Sequence, residues 1–210
     1  MANVRHPAEP LLHAFIRSVV HLGYRFTKRD LASVPREGAA LLVCNHVSFV
    51  DAFVIAAAFR RPVRFIMDHR IYSHPLINWI FRIGGVIPIA PQRDDPALLE
   101  SAFVRTADAL DRGELVCIFP EGRITWDGEL NKFRGGVTRI VAETPVPVVP
   151  LALRGLWGSF FSRRGGPAMR RFPRRWWSRV ELRAGAALPP REATVQRLQR
   201  EVSALRGAVC

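Results

Sequence analysis

The chain has 210 residues, 49% of them apolar, and a formal net charge of +13. That length and apolar share suit one folded domain with a real core and exclude a disordered chain. No stretch reaches the roughly 18 uninterrupted apolar residues of a membrane-crossing helix, and Met1–Pro10 carries both signs of charge with no apolar signal core.

Almost all the positive charge is Arg; the only lysines are Lys28 and Lys132. Such an excess implies an anionic partner: nucleic acid, membrane lipid or an acidic protein. Cys44 and Cys117 sit in apolar runs, Cys210 is last, and no CxxC is present. These are expected to be unpaired thiols in a reducing compartment, which makes a cytosolic setting the default.

In chain order, Leu11-Leu12, Phe15-Ile16 and Val19-Val20 recur every four residues. The spacing predicts an amphipathic helix over 11–25 with a basic end at Arg25, Lys28 and Arg29. It either packs on the core or lies in a membrane interface. Pro35 and Gly38 turn into an apolar strand, Ala39–Cys44. Asn45-His46 close that strand, and Ser48 opens a helical segment, Phe49–Phe59.

His46 therefore stands where a strand hands over to a helix, the place where α/β proteins collect ligands. Five residues of continuous helix turn through about 500°. His46 and Asp51 can meet only if His46 lies before the helix and folds back over its first turn. Asp51 bonded to one ring nitrogen would fix the tautomer and leave the other as a base. Ser48-x-x-Asp51 is equally a capping-box pattern, so this stretch alone leaves both readings open.

Further strands are predicted at Val63–Met67, Val86–Ile89, Leu115–Phe119, Val146–Leu153 and Val180–Arg183. Helices are predicted at 75–83, Pro96–Arg112, 136–143 and around Val195–Leu205. Pro147 and Pro150 put the strand at 146–153 at an edge or make it irregular. His69 and His74 have no metal-site spacing. Residues 156–179 interleave Trp with Arg163, Arg164, Arg170, Arg171, Arg174, Arg175 and Arg179. That mixture suits a phospholipid interface, a single nucleic-acid strand or a solubilising loop.

Three strand ends thus carry polar groups: His46 with Asp51, then Arg93, then Glu121 with Arg123. A base with its orienter, cations for an anion and a carboxylate for a hydroxyl can deprotonate an alcohol on a phosphate-bearing substrate.

Four ordered blocks closely resemble the glycerolipid acyltransferase family of the 1-acyl-sn-glycerol-3-phosphate (lysophosphatidic acid) acyltransferase type. Asn45-His46-Val47-Ser48-Phe49-Val50-Asp51 matches its His-x4-Asp block. Gly85–Ile89 with Arg93 is similar to the second block, Phe119-Pro120-Glu121-Gly122-Arg123 to the third, and Val146–Pro150 to the fourth. The third block commonly continues Gly-Thr-Arg-Ser; here it reads Gly122-Arg123-Ile124-Thr125, with the Arg one place forward.

The resemblance implies an α/β fold in one domain, a mixed, mostly parallel sheet flanked by helices. Residues 1–30 would form an amphipathic membrane-docking segment and 31–210 the acyltransferase domain. It implies acyl transfer from acyl-CoA or acyl carrier protein to the free hydroxyl of a lysophospholipid, with 1-acylglycerol-3-phosphate giving phosphatidic acid as the leading pair. His46 and Asp51 would be catalytic; Arg93, Glu121, Gly122 and Arg123 would bind substrate. No metal and no cofactor are expected. The expected partners are a membrane surface, the acceptor and the donor, and not nucleic acid. The expected location is the cytoplasmic face of the cell membrane, peripheral or monotopic. Lysophosphatidylethanolamine or lyso-ornithine lipid is the alternative acceptor. A thioesterase that activates water, or a basic nucleic-acid- or lipid-binding protein without catalysis, is the alternative class.

Overall fold

The computed structural model describes residues 6–169 and 177–207. Arg170, Arg171, Arg174, Arg175, Trp176 and Cys210 lie outside the described residues. Ala40–Cys44 (β2) is apolar at every position and wholly buried. Such a run requires cover on both faces, as in a parallel sheet between helix layers. The other strands are Arg25–Arg29 (β1), Val63–Asp68 (β3), Ile87–Ile89 (β4), Leu115–Ile118 (β5), Val148–Arg154 (β6) and Arg179–Ala184 (β7). They form one seven-stranded sheet, ordered β1-β7-β6-β2-β5-β3-β4. Only the β6–β7 pair is antiparallel; the other pairs are parallel.

The helices are Glu9–Gly23 (α1), Asp51–Ala58 (α2), His69–Tyr72 (α3), Asn78–Ile83 (α4), Pro96–Asp111 (α5), Gly136–Glu143 (α6) and Val195–Arg206 (α7). α5 follows an Asp95 cap whose side chain accepts from Leu98 N–H at 2.9 Å. Leu42 and Cys44 of β2 face one core layer with α2, and Leu41 and Val43 face a second with α5, α6 and α7. The expected α/β fold, a mostly parallel sheet flanked by helices, is therefore the fold observed. Cys44 and Cys117 are fully buried in paired strands β2 and β5, and burial pushes both thiols well up from their ordinary range.

Two local expectations are corrected. The basic residues Arg25, Lys28 and Arg29 do not extend the first helix, which ends at Gly23. They belong to β1, paired with β7 at the sheet margin. A run with one apolar residue, Phe26, carries little strand signal, and charged side chains are what an edge strand tolerates. Conversely, β6 is interior, between β7 and β2, despite Pro150. The Pro150 carbonyl accepts from Gly185 N–H at 2.8 Å, so its missing donor faces the point where β7 has ended, and no ladder bond is lost.

In α1 the paired apolar residues divide between two faces. Val20 is buried and Leu12 and Ile16 are partly covered, whereas Leu11, Phe15, Val19 and Leu22 are exposed. Among the described residues, no helix is long and apolar enough to cross a membrane. The helix is moored by Glu9, whose carboxylate accepts from the Arg64 guanidinium at 2.5 Å. Arg64 also donates to Glu114 at 2.8 Å and to the Gly84 carbonyl at 3.0 Å. Gly85, at φ +62°, lies against the same guanidinium, where a Cβ would collide with it.

Removing Arg64 would leave two buried carboxylates with their main counter-charge gone. Arg64→Ala is expected to lower unfolding free energy by about 3–5 kcal/mol, read from urea titration.

Candidate active site

β2 ends by clamping its neighbour. Asn45 Oδ1 accepts from Leu153 N–H at 2.8 Å and its Nδ2 donates to the Leu153 carbonyl at 3.0 Å, which joins the ends of β2 and β6. The next side chain is His46. Its Nδ1 lies 2.8 Å from Asp51 Oδ2. The same oxygen accepts from Val47 N–H at 2.7 Å and Ser48 N–H at 2.9 Å. Both open readings of this stretch therefore hold together: Asp51 reaches back to the chain before the helix and also holds the imidazole. Ser48 is not the N-cap; Val50 is, and the Ser48 hydroxyl accepts from Val50 N–H at 3.3 Å.

Asp51 is fully buried. An oxygen already accepting two backbone N–H groups is an acceptor toward the ring too, so Nδ1 carries the proton and Nε2 has the lone pair. The ring is stacked on Phe119, with centroids 4.2 Å apart and planes 15° from parallel. Its side chain keeps 19% exposure. A fixed tautomer, a fixed plane and an accessible Nε2 make His46 a competent general base.

Glu121 follows β5 and is 3% exposed. One carboxylate oxygen accepts from His46 N–H at 2.7 Å; the other accepts from Asn131 N–H and Nδ2, each at 2.8 Å. Burial raises its carboxyl pKa, against the opposing pull of those donors. Its oxygens are thus engaged in holding the His46 backbone and the loop of Asn131. Gly122 has φ +65°, and a Cβ there would stand 3.0 Å from the Arg134 guanidinium; glycine is what allows that approach. Arg123 Nε donates to Asn131 Oδ1 at 3.0 Å, leaving the rest of its guanidinium toward solvent.

Arg93 is set apart from this group. It follows β4, the far edge of the sheet and three strands from β2. Its side chain is 86% exposed and its nearest ionic partner is Asp94, at 3.3 Å. The structure thus brings His46, Asp51 and Glu121 into one hydrogen-bonded group that reaches Arg123 through Asn131, with Gly122 in the chain between Glu121 and Arg123 and Arg93 on the same strand-end edge at a distance.

Sequence reasoning missed Phe119, Asn131 and Arg163. The Arg163 guanidinium lies 4.3 Å from the Trp126 ring and 5.5 Å from that of Phe49. Phe49 N–H donates to the Phe161 carbonyl at 3.2 Å, and Thr125 N–H to the His46 carbonyl at 3.0 Å. Arg163 thereby ties together the two loops on either side of His46. Its position in an Arg-rich run gave the only signal; nothing local marked Asn131.

Residues 25–154 match the family model Acyltransferase. A chloroplastic 1-acyl-sn-glycerol-3-phosphate acyltransferase of Brassica napus is 32% identical over 63% of this chain and 39% of its own length. A lyso-ornithine lipid O-acyltransferase of Pseudomonas aeruginosa is 31% identical over 61% of this chain and 47% of its own length. The chain thus spans less than half the length of these curated relatives. The crystal structure of a 1-acyl-sn-glycerophosphate acyltransferase from Thermotoga maritima has the same fold. It superposes with a TM-score of 0.67 at 20% identity, over 92% of this chain and 74% of that one.

In Asp51→Asn an amide oxygen that keeps the two backbone donors also keeps the ring, because one oxygen accepts all three. The proton is therefore expected to stay on Nδ1 in the nitrogen NMR shifts of His46, held by a neutral and weaker acceptor; a shift to Nε2 would mean that the amide had turned over and given up the backbone donors. Glu121 generates a pH prediction. Its folded pKa is raised, so its contribution to stability is largest at low pH and is lost as pH rises through that value. Glu121→Gln does not titrate. The stability gap between wild type and Glu121→Gln should therefore narrow as pH rises through and above the carboxylate range, in urea titrations at stepped pH.

Proposed function

Because the chain belongs to the Acyltransferase family, we propose that it transfers a fatty acyl group from an acyl thioester to the free hydroxyl of a lysophospholipid. The leading acceptor is 1-acylglycerol-3-phosphate, giving phosphatidic acid. The observation that carries this reading is the 2.8 Å bond from His46 Nδ1 to Asp51, with Nε2 left free at the strand ends. Nε2 takes the hydroxyl proton, the oxygen attacks the thioester carbonyl, and the thiol leaves with a proton returned by the imidazolium. His46 and Asp51 are the proposed catalytic pair. Glu121 and Gly122 shape the acceptor loop, and Arg123 presents charge to the acceptor phosphate. Arg93 would join it only through movement of its loop or with a large headgroup. The relative named for lyso-ornithine lipid makes that lipid the second acceptor to test.

A long-chain acceptor resides in a bilayer, and we place the enzyme on the cytoplasmic membrane face. Leu11, Phe15, Val19 and Leu22 form an outward apolar stripe along α1. Trp79, 57% exposed, stands on the neighbouring α4. Arg17 is exposed on the same helix, and a basic residue adds roughly 1 kcal/mol near an anionic surface.

Acyl transfer in mixed vesicles, with acyl-CoA or acyl carrier protein as donor, tests the chemistry. His46→Ala is expected to lose about 10²–10⁴-fold in rate; equal turnover in that variant would remove the mechanism. Phe15→Asp with Leu22→Asp is expected to abolish co-sedimentation with anionic vesicles without lowering the melting temperature, since both side chains are exposed.

A further inference from the structure

A depression lies on the sheet face opposite His46. It has a volume of about 630 Å³ and is lined along β1, β6 and β7 by Arg25, Arg29, Arg154 and Arg179, and by Arg206 of α7. Against these five cations the lining contains one carboxylate, Glu181. Glu181 pairs with Arg183 and lies 3.9 Å from Arg154, and Arg206 is engaged with Glu129 at 2.7 Å. Among the described residues, Arg25, Arg29 and Arg179 have no ion-pair partner. Like charges held together in a concave site raise the local concentration of anions.

The cleft also has a direction. β1 and β7 run against the other five strands, so Arg25 and Arg179, their first residues, stand at the edge where β2 and β6 end. At that edge the lining includes Asn45 and Val47, the two residues flanking His46. From there it runs down the sheet face to Arg29. Four residues of strand separate Arg25 from Arg29, about 13 Å at the usual rise. One phosphate cannot meet both. A ligand with phosphates spaced along its length can.

We propose that this cleft binds the phosphorylated nucleotide end of a CoA thioester, with the pantetheine arm passing over the Asn45–Val47 edge to bring the thioester to His46. This deepens the acyl-transfer reading and rests on it for the fate of the thioester. Arg25, Arg29 and Arg179 are donor-binding residues, away from the proton-transfer machinery.

The test is titration calorimetry of the full chain with CoA, adenosine 3′,5′-bisphosphate and inorganic phosphate. The expected result is binding of CoA and of the bisphosphate, weakened by salt, with inorganic phosphate far weaker. Arg25→Gln, Arg29→Gln and Arg179→Gln should each raise the Kd for CoA about tenfold, as loss of one charge-assisted contact does, while His46→Ala binds as wild type does. The three side chains are exposed, and thermal melts check that the variants fold. In turnover the same variants should raise KM for acyl-CoA and leave transfer from an acyl N-acetylcysteamine thioester, which has no phosphates, unchanged. Unaltered CoA affinity in all three variants, or no CoA binding by wild type, overturns the cleft assignment. The N-acetylcysteamine assay tests the His46 chemistry separately.

Discussion

One carboxylate oxygen organises the site. Asp51 Oδ2 takes two backbone N–H groups and the imidazole, and it does so fully buried. A buried anion is tolerable only where donors replace its lost water. The turn between β2 and α2 supplies two of them because its N–H groups converge, as helix N-termini do. The third donor is the ring. The folding of the turn and the choice of imidazole tautomer are therefore one event, and an imidazole with its Nε2 lone pair unengaged is a by-product of solving a desolvation problem.

Around that oxygen the fold arranges restraints of decreasing stiffness. Asn45 binds β2 to β6, Glu121 binds the His46 backbone to the loop after β5, and Phe119 fixes the plane of the ring. Each is a contact between the ends of neighbouring strands, so the base is positioned by rigid elements and not by its own loop. The arginines are more loosely held. Arg123 is held by one hydrogen bond among the described residues, to Asn131, and Arg93 leans on Asp94 in solvent. In the proposed reaction a stiff base beside soft cations suits a reacting group that is always a hydroxyl and a headgroup that differs.

Much of this was legible in the chain itself. The apolar run that ends at Cys44 and the polar groups that close β2 and follow β5 are read from local chemistry, and each stands where the sequence places it. What was not legible depended on partners distant in sequence. β1 is a strand because β7 offers it a ladder more than 150 residues away, and nothing in Arg25-Phe26-Thr27-Lys28-Arg29 announces that. Pro150 argued for an edge because a proline's cost depends on which neighbour faces its nitrogen. That is a property of where β7 stops. Asn131 escaped notice for the same reason: its importance is entirely that of Glu121, ten residues earlier.

The two central thiols carry a practical consequence. Cys44 and Cys117 sit in adjacent middle strands, sealed from solvent and kept protonated by burial. A thiolate is the form that reacts with alkylating agents, so neither can be labelled while the sheet is closed. Their labelling rate is then a clock for separation of β2 from β5, the opening that would also dismantle the His46 turn. The chain reports the lifetime of its own reactive architecture without any introduced probe.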